Sequence, residues 1–301
     1  MIVLFGRTED RPLVAAAEQA AAANVPHLLL DQARLGDDEM VLDVGSDGLG
    51  GRLRTCSMEV ELGDISAVYA RPLTLPTSTD RLAGARSVQL NASFLEWIDE
   101  ARCLVVNRPE AMRSNMSKPY QLQLIAERGL RVPETLITNR PEDVHAFHAR
   151  HGRVIYKSIS GIRSIVRELD EAALANVDRV RSLPTQFQAY VDGVDVRVHV
   201  VGDRAFATEI ASEATDYRYA HRDGGAAELR AAELPPSVEL RCHALANALE
   251  LPFCGIDLRR RPDGEHVCLE VNPMPGYSYF ESETGQPIAE ALVDLLSGAV
   301  G

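Results

Sequence analysis

Residues 268–277, CLEVNPMPGY, set an acid and an amide two positions apart at the end of an apolar run. In a strand, residues i and i+2 share a face. Glu270 and Asn272 therefore offer oxygens to one point in space. Hard cations take oxygen ligands, and Mg²⁺ held beside a nucleotide phosphate is the common case. The competing reading is a strand that ends in a turn with exposed polar residues. Upstream, FCGIDLRRRPDGEHVCLEVN (253–272) reads as a hairpin turning at Asp263–Gly264. That turn carries Asp257 to the level of 270–272, so three oxygen donors meet across neighbouring strands. On the other view Asp257 is a solvent-facing strand residue.

Two lysines accompany this hairpin. Lys118 lies at a helix start, and Lys157 lies inside the apolar strand VIYKSI (154–159). A lysine so placed either snorkels to water or meets a phosphate as a point charge. Ser158, Ser160 and Gly161 follow it and can supply hydroxyls and a pliable backbone to a phosphate-covering turn. In QFQAYVDGVDVRVHV (186–200) apolar residues alternate with polar ones, placing Asp195 and Arg197 on one strand face. An arginine there is a structural partner or a bidentate grip on a carboxylate or phosphate. DYRYAHRDGG (216–225) carries Arg218, His221 and Arg222 without an apolar face, so it reads as a loop.

The rest of the chain reads as an α/β protein. IVLF (2–5), the Ala-rich helix at 12–24 and HLLL (27–30) form a strand–helix–strand start, which suggests a parallel layer. No G-x-G-x-x-G follows the first strand. Residues 40–63 read as a hairpin around SDGLGG, 65–72 as a strand, 74–84 as turns, 88–102 as a helix and 103–106 as a strand. Helices are expected at 117–129, 141–152, 236–251 and 286–297. Strands are expected at 135–138, 154–159, 165–169 and 186–191, with a further hairpin at 195–212 turning at Gly202–Asp203.

Composition narrows the class. A chain of 301 residues is expected to hold two or three domains. Hydrophobic residues at 46% and charged residues at 25% are ordinary for a soluble protein. A formal net charge of -13 with no basic run disfavours nucleic acid as a partner. No apolar run reaches the roughly 18 residues of a membrane helix. The start lacks a secretory h-region, since charges begin at Arg7. Five cysteines without paired spacing fit a reducing compartment, so the expected location is cytoplasmic. His145, His148 and His151 recur along one helix and read as a solvated face, and Trp97 as packing.

Taken in order, Lys118, Lys157, QAYV, DVR, DYRYAHRDGG, GIDL and LEVNP resemble the ATP-grasp superfamily on its RimK-like side, over roughly 107–297. The resemblance implies a pre-ATP-grasp α/β domain (1–106), a central lid subdomain (107–185) and a C-terminal antiparallel-sheet subdomain with the Mg²⁺ and ATP site (186–301). It implies Lys118 and Lys157 on the phosphates, with Ser160 and Gly161 in the covering turn. Ala189 and Tyr190 would form the adenine-reading hinge, with Gln188 beside them and Asp195 near the ribose. Asp257, Glu270 and Asn272 would hold Mg²⁺. Arg197 and Arg218 would act on the acyl phosphate and its precursors. The implied reaction joins a carboxylate to an amine or hydroxyl through an acyl phosphate.

Three positions depart from the family pattern. Ala189 stands where an acid is usual, Ala220 stands where an Asn is typical, and SISGIRS is poor in glycine. NRPEAMRSNMSKPYQLQLIAERG, GRVIYKSISG and YFESETGQPIAEAL look most like maturases of ester- or amide-crosslinked ribosomal peptides, the graspetides. The implied substrate is then a precursor peptide, held by Arg163, Arg167, Arg218 and Arg222. The alternatives are addition of a free amino acid to a protein or small acid, and a nucleotide-binding module without catalysis. The fold class also admits a homodimer.

Overall fold

A strand that alternates Val with Asp, Arg and His can bury only one of its faces in apolar material, and DVRVHVV builds the central strand of the molecule on that rule. The structure, a computed structural model, describes residues 1–46, 48–75, 77, 79–157, 166–211 and 228–298.

The chain opens with β1 (Ile2–Gly6), α1 (Arg11–Ala22), β2 (His27–Asp31), β3 (Glu39–Gly45), β4 (Gly48–Arg54), β5 (Glu59–Glu61), β6 (Ala67–Ala70), α2 (Arg81–Glu100) and β7 (Leu104–Val106). The strands β2-β1-β6-β7 make a parallel sheet, and β3-β4-β5 a small antiparallel one. Parallel sheets are covered on both faces, and β1 shows it. Ile2 and Leu4 enter one core with α1, while Val3 and Phe5 enter another with Phe94 and Trp97 of α2.

The chain continues through α3 (Pro109–Met112), α4 (Lys118–Glu127), β8 (Thr135–Thr138), α5 (Pro141–His151), β9 (Val154–Lys157), β10 (Arg167–Glu168), α6 (Glu171–Ala175) and β11 (Thr185–Ala189). Here the sheet order is β10-β9-β11-β8, with Val144 and Phe147 of α5 packed on Val154 and Phe187.

Last come β12 (Val194–Val201), β13 (Arg204–Ala211), β14 (Glu228–Ala232), α7 (Pro236–Ala248), β15 (Phe253–Arg260), β16 (His266–Asn272), α8 (Ser278–Thr284) and α9 (Ile288–Ser297). The strands β14-β13-β12-β15-β16 form one antiparallel sheet. Val196, Val198 and Val200 of β12 face a core closed by α4 and α7, leaving Asp195, Arg197 and His199 on the opposite face. Helix α4 thus packs on the last sheet, although it falls within 107–185.

The expected elements are present within a few residues, with some differences. Helix α2 begins at Arg81 rather than 88, because Asp80 caps it by accepting from Leu82 N (2.8 Å) and Ala83 N (3.2 Å). The expected hairpin at 40–63 turns between Gly45 and Gly48 and gains β5 as a third strand. Strand β14 and the short helices α3, α6 and α8 have no counterpart in the sequence reading. All five cysteines are free thiols. Among the described residues no helix is long and apolar enough to cross a membrane.

The first and last sheets are welded together. Tyr277, fully buried, donates its hydroxyl to Pro12 O (2.7 Å). Arg71, at the end of β6, donates to Pro275 O (2.9 Å) and pairs with Asp10. The Asn107 amide donates to Phe253 O (2.6 Å) and to Pro273 O. The loop 273–277 is therefore held from the N-terminal side by three buried polar groups.

Candidate active site

The two acidic donors are cross-strand neighbours. Asp257 on β15 pairs in register with Glu270 on β16, and Asn272 pairs with Gly255. Like charges placed opposite each other repel, and here each carboxylate has its own cation. Arg197 Nη1 donates to Asp257 Oδ1 (2.6 Å), and Lys118 Nζ donates to Glu270 Oε2 (3.0 Å). Both cations are buried, with side chains 6% and 8% exposed. Asn272 Oδ1 accepts from Met274 N (2.9 Å), which fixes the amide at the start of the loop. An amide oxygen has a second lone pair for another partner.

Register shifts between Asp257 and Leu258, so β16 carries one extra residue, Leu269. A bulge re-aims side chains. As a result Leu269 and Glu270, adjacent in sequence, both line one cleft. The cleft lies between the middle and last sheets and encloses about 720 Å³ of open space, mouth included. Its walls bring together Ile155 and Lys157 of β9, Gln188 and Ala189 of β11, Tyr190, and Asp195 and Asp257 of the last sheet. Lys157 is buried there at 8% exposure.

On the same cleft wall, Asp195 is held by Arg259 in a bidentate pair (2.6 and 2.7 Å from Nη2). Arg259 also donates to Val191 O (3.1 Å). The Arg153 guanidinium stacks 3.5 Å above the Tyr190 ring, a cation–π contact that fixes that side chain. Ala189 N and Tyr190 N donate to Glu134 O (2.9 Å) and Arg153 O (3.0 Å), so these two amides are committed within the protein.

Helix α4 owes its place to Gln121. Its Nε2 donates to Val271 O (2.8 Å) and its Oε1 accepts from Val271 N (3.0 Å). This side chain completes the ladder on the outer edge of β16. It also sets Lys118, one turn earlier, against Glu270.

The family-model comparison matches a RimK-like ATP-grasp domain over residues 115–296. The chain belongs to the RimK-like ATP-grasp family. The ligase PsnB, solved with a minimal precursor, is 28% identical with a TM-score of 0.79, over 100% of this chain and 99% of that one. PsnB has also been solved with a phosphomimetic precursor, Mg and ADP. The macrocyclase MdnC of Microcystis aeruginosa MRC, bound with precursor peptide MdnA, has a TM-score of 0.82 over 99% of this chain and 100% of that one. It is 21% identical and shows the fold alone. A probable alpha-L-glutamate ligase of Pseudoalteromonas translucida (strain TAC 125) is 28% identical over 225 residues, 71% of this chain and 73% of that protein. This RimK-like chain is therefore an ATP-grasp ligase, and the reading without catalysis is set aside.

Of the residues singled out in the sequence of this ligase, Lys118, Lys157, Gln188, Ala189, Tyr190, Asp195, Arg197, Asp257, Glu270 and Asn272 are gathered in or beside the cleft. Ser160, Gly161, Arg163, Arg218, Ala220 and Arg222 lie outside the described residues. Arg167 is exposed on β10, against α6 and away from the cleft. Gly255, Arg259, Gln121, Leu269 and His199 contribute without having been singled out. Only for His199 was a signal present, since it continues the polar phase of Asp195 and Arg197.

His199 is fully buried, and neither ring nitrogen has a hydrogen-bond partner among the described residues. Its ring meets Phe280 edge-on, centroids 4.9 Å apart. Burial first, and then the Arg197 charge, hold its pKa well below 6.5. The unfolded chain takes up that proton near pH 6.5 while the folded chain does not, so the unfolded state binds more protons and stability falls as pH drops. His266, lowered first by burial, acts in the same sense. We expect a loss of up to about 1.4 kcal/mol per pH unit below about pH 6.5 from the fully buried His199, and a smaller one from His266, which solvent partly screens. Urea unfolding at about pH 7.5 and about pH 5.5 measures the slope, and His199→Phe should flatten it. An unchanged slope in that variant would contradict the assignment.

Proposed function

We propose that this ligase activates a substrate carboxylate with ATP and joins it to a hydroxyl or amine within a peptide, in the manner of a graspetide maturase. The observation that carries the reading is the paired Asp257–Arg197 and Glu270–Lys118 set on the wall of a cleft that also holds Lys157. A carboxylate oxygen attacks the γ-phosphorus, the bond to the bridging oxygen breaks and ADP leaves. The oxygen or nitrogen of the acceptor then attacks the acyl carbon, phosphate leaves, and the acceptor loses its proton. In this reading Lys118 and Lys157 steady the phosphates, and Arg197, with Arg218, stabilises charge on the transferred group.

The donor set fits Mg²⁺. Two carboxylates and one amide oxygen are few ligands, and Mg²⁺ is usually held by one or two carboxylates with substrate phosphates completing the shell. Asp257, Glu270 and Asn272 would hold it. When bound, the ion offsets repulsion among the phosphate oxygens. The hinge is Ala189–Tyr190, with Gln188 beside it and Asp195 toward the ribose. Ser160 and Gly161, outside the described residues, would contact the phosphates. The segments 1–106, 107–185 and 186–301 are the working division of the chain.

The peptide reading draws on the resemblance to PsnB, solved with its precursor. Addition of a free amino acid is the second reading, favoured by the glutamate-ligase names of the sequence relatives. The two are separated by mass spectrometry of peptides rich in Asp, Glu, Ser, Thr and Lys, incubated with the protein, ATP, Mg²⁺ and free glutamate. Loss of one water per link supports internal crosslinking, and gain of a residue mass supports addition. ADP release with neither product would overturn both.

A further inference from the structure

The guanidinium of Arg197 is held by more than its carboxylate. Gly255, on the neighbouring strand β15, has no Cβ, and one would stand 2.3 Å from Arg197 Nη2. The guanidinium therefore rests against that backbone, where Asp257 Oδ1 accepts from it (2.6 Å). Phe280 of α8 supplies a further surface. Arg197 Cζ lies over its ring, 5.8 Å from the centroid, and Phe280 is 6% exposed. An aromatic face attracts a guanidinium within about 6 Å, and more strongly where water is excluded. His199, two residues further along β12, packs on the same ring, with centroids 4.9 Å apart and planes at 65°. Burial lowers the His199 pKa, so near neutral pH the ring meets the Arg197 cation and a neutral imidazole.

Helix α8 is fixed where this contact needs it. Tyr277, just before it, is bonded to Pro12 O, and Glu281 Oε1 accepts from Ala289 N (2.9 Å). Thr284 Oγ1 donates to Phe280 O (2.7 Å). Beyond the end of the helix, Gln286 Oε1 accepts from Thr208 Oγ1 (3.0 Å), and Gln286 Nε2 donates to Ala207 O (3.0 Å). Thr208 is the cross-strand neighbour of Arg197 on β13. The helix is therefore clipped to the sheet at the level of Arg197, with the Phe280 ring against the guanidinium.

We propose that Phe280 aims Arg197: the face of its ring draws the guanidinium and holds it in the orientation that meets the transferred group. Phe280 acts through Arg197 and is a positioning residue. The inference rests on the reading of Arg197 as the group that stabilises charge on the transferred phosphoryl, and it names the part of the fold that sets that arginine.

A trifluorinated phenylalanine placed at position 280 of the whole protein tests it, because fluorine drains negative charge from the ring face and leaves the shape nearly unchanged. Exchange of the Arg197 guanidinium protons with water, read by nitrogen NMR without any substrate, should speed up several-fold. ADP release with ATP, Mg²⁺ and peptides rich in Asp, Glu, Ser, Thr and Lys should show kcat lowered about fivefold, with KM for ATP unchanged. Phe280→Leu should do at least as much, and its effect on kcat should shrink in the Gly255→Ala background, where the guanidinium is already displaced. Exchange at the wild-type rate in the fluorinated protein would by itself reduce Phe280 to packing and overturn the proposal. Full additivity of Phe280→Leu with Gly255→Ala would overturn it as well. An unchanged kcat in Gly255→Ala alone would instead withdraw Arg197 from the reaction, and the inference would fall with that reading.

Discussion

Asp257→Asn should leave a folded protein whose ADP release with ATP and peptide is reduced roughly 10³-fold, the scale on which removing one preorganised charge acts. The substitution keeps the shape of the side chain. Its amide oxygen can still accept from Arg197 Nη1, now at 2.6 Å from Asp257 Oδ1. What is lost is one of two adjacent negative charges. The residual activity should also require a higher Mg²⁺ concentration, because the proposed metal site would retain only Glu270 and a neutral Asn272 as donors. A coupled ADP assay across a Mg²⁺ series, run beside a thermal melt, reads both effects. Wild-type turnover in this variant would remove Asp257 from the metal site.

Gly255→Ala is the second large effect, and it acts at one remove. A Cβ on Gly255 would stand 2.3 Å from Arg197 Nη2 and 2.5 Å from its Cζ. Both distances are far inside contact, so the guanidinium must move off the strand. The clash falls on the end of a flexible side chain, so the backbone need not shift and the fold should survive. The Arg197–Asp257 pair cannot keep its geometry. A misplacement on the order of 1 Å costs about 10²-fold in rate. We expect that loss in kcat with a melting temperature within a few degrees of wild type, on the order of 1 kcal/mol for a chain of this size. An unchanged kcat would show that Arg197 does not act where it now lies.

The contrast between Asp257 and Gly255 shows how far the sequence could be read. Parity along a strand is local, so DVRVHVV and LEVN revealed which side chains share a face. The turn at Asp263–Gly264 was legible from its residues and carried the two strands into register. Pairing between distant strands was not legible. Asp195 and Arg197 share one strand face as expected, but their ion-pair partners are Arg259 and Asp257, some 64 and 60 residues away. The role of Gly255 follows from that crossing and from nothing in its own vicinity. Leu269 was hidden for a different reason, since a bulge breaks the alternation on which strand reading depends. Gln121 reads as one more polar residue on a helix until β16 is known to be an edge. The start of α2 carries a signal of its own, since Asp80 before Arg81 is a capping residue set within a turn-rich stretch.

The loop 273–277 ties this chemistry to the first sheet through Arg71, Asn107 and Tyr277, and Ile2, Leu4 and Tyr69 share a core with Phe253, Ile288 and Leu292. The stretch that carries the family likeness is thus no detachable cassette. Excising residues 1–106 would strip the apolar flank of the last sheet and remove two of the three ties on the loop that follows Asn272, so the front third of this chain cannot be exchanged without rebuilding the back of the sheet that carries Asp257 and Glu270.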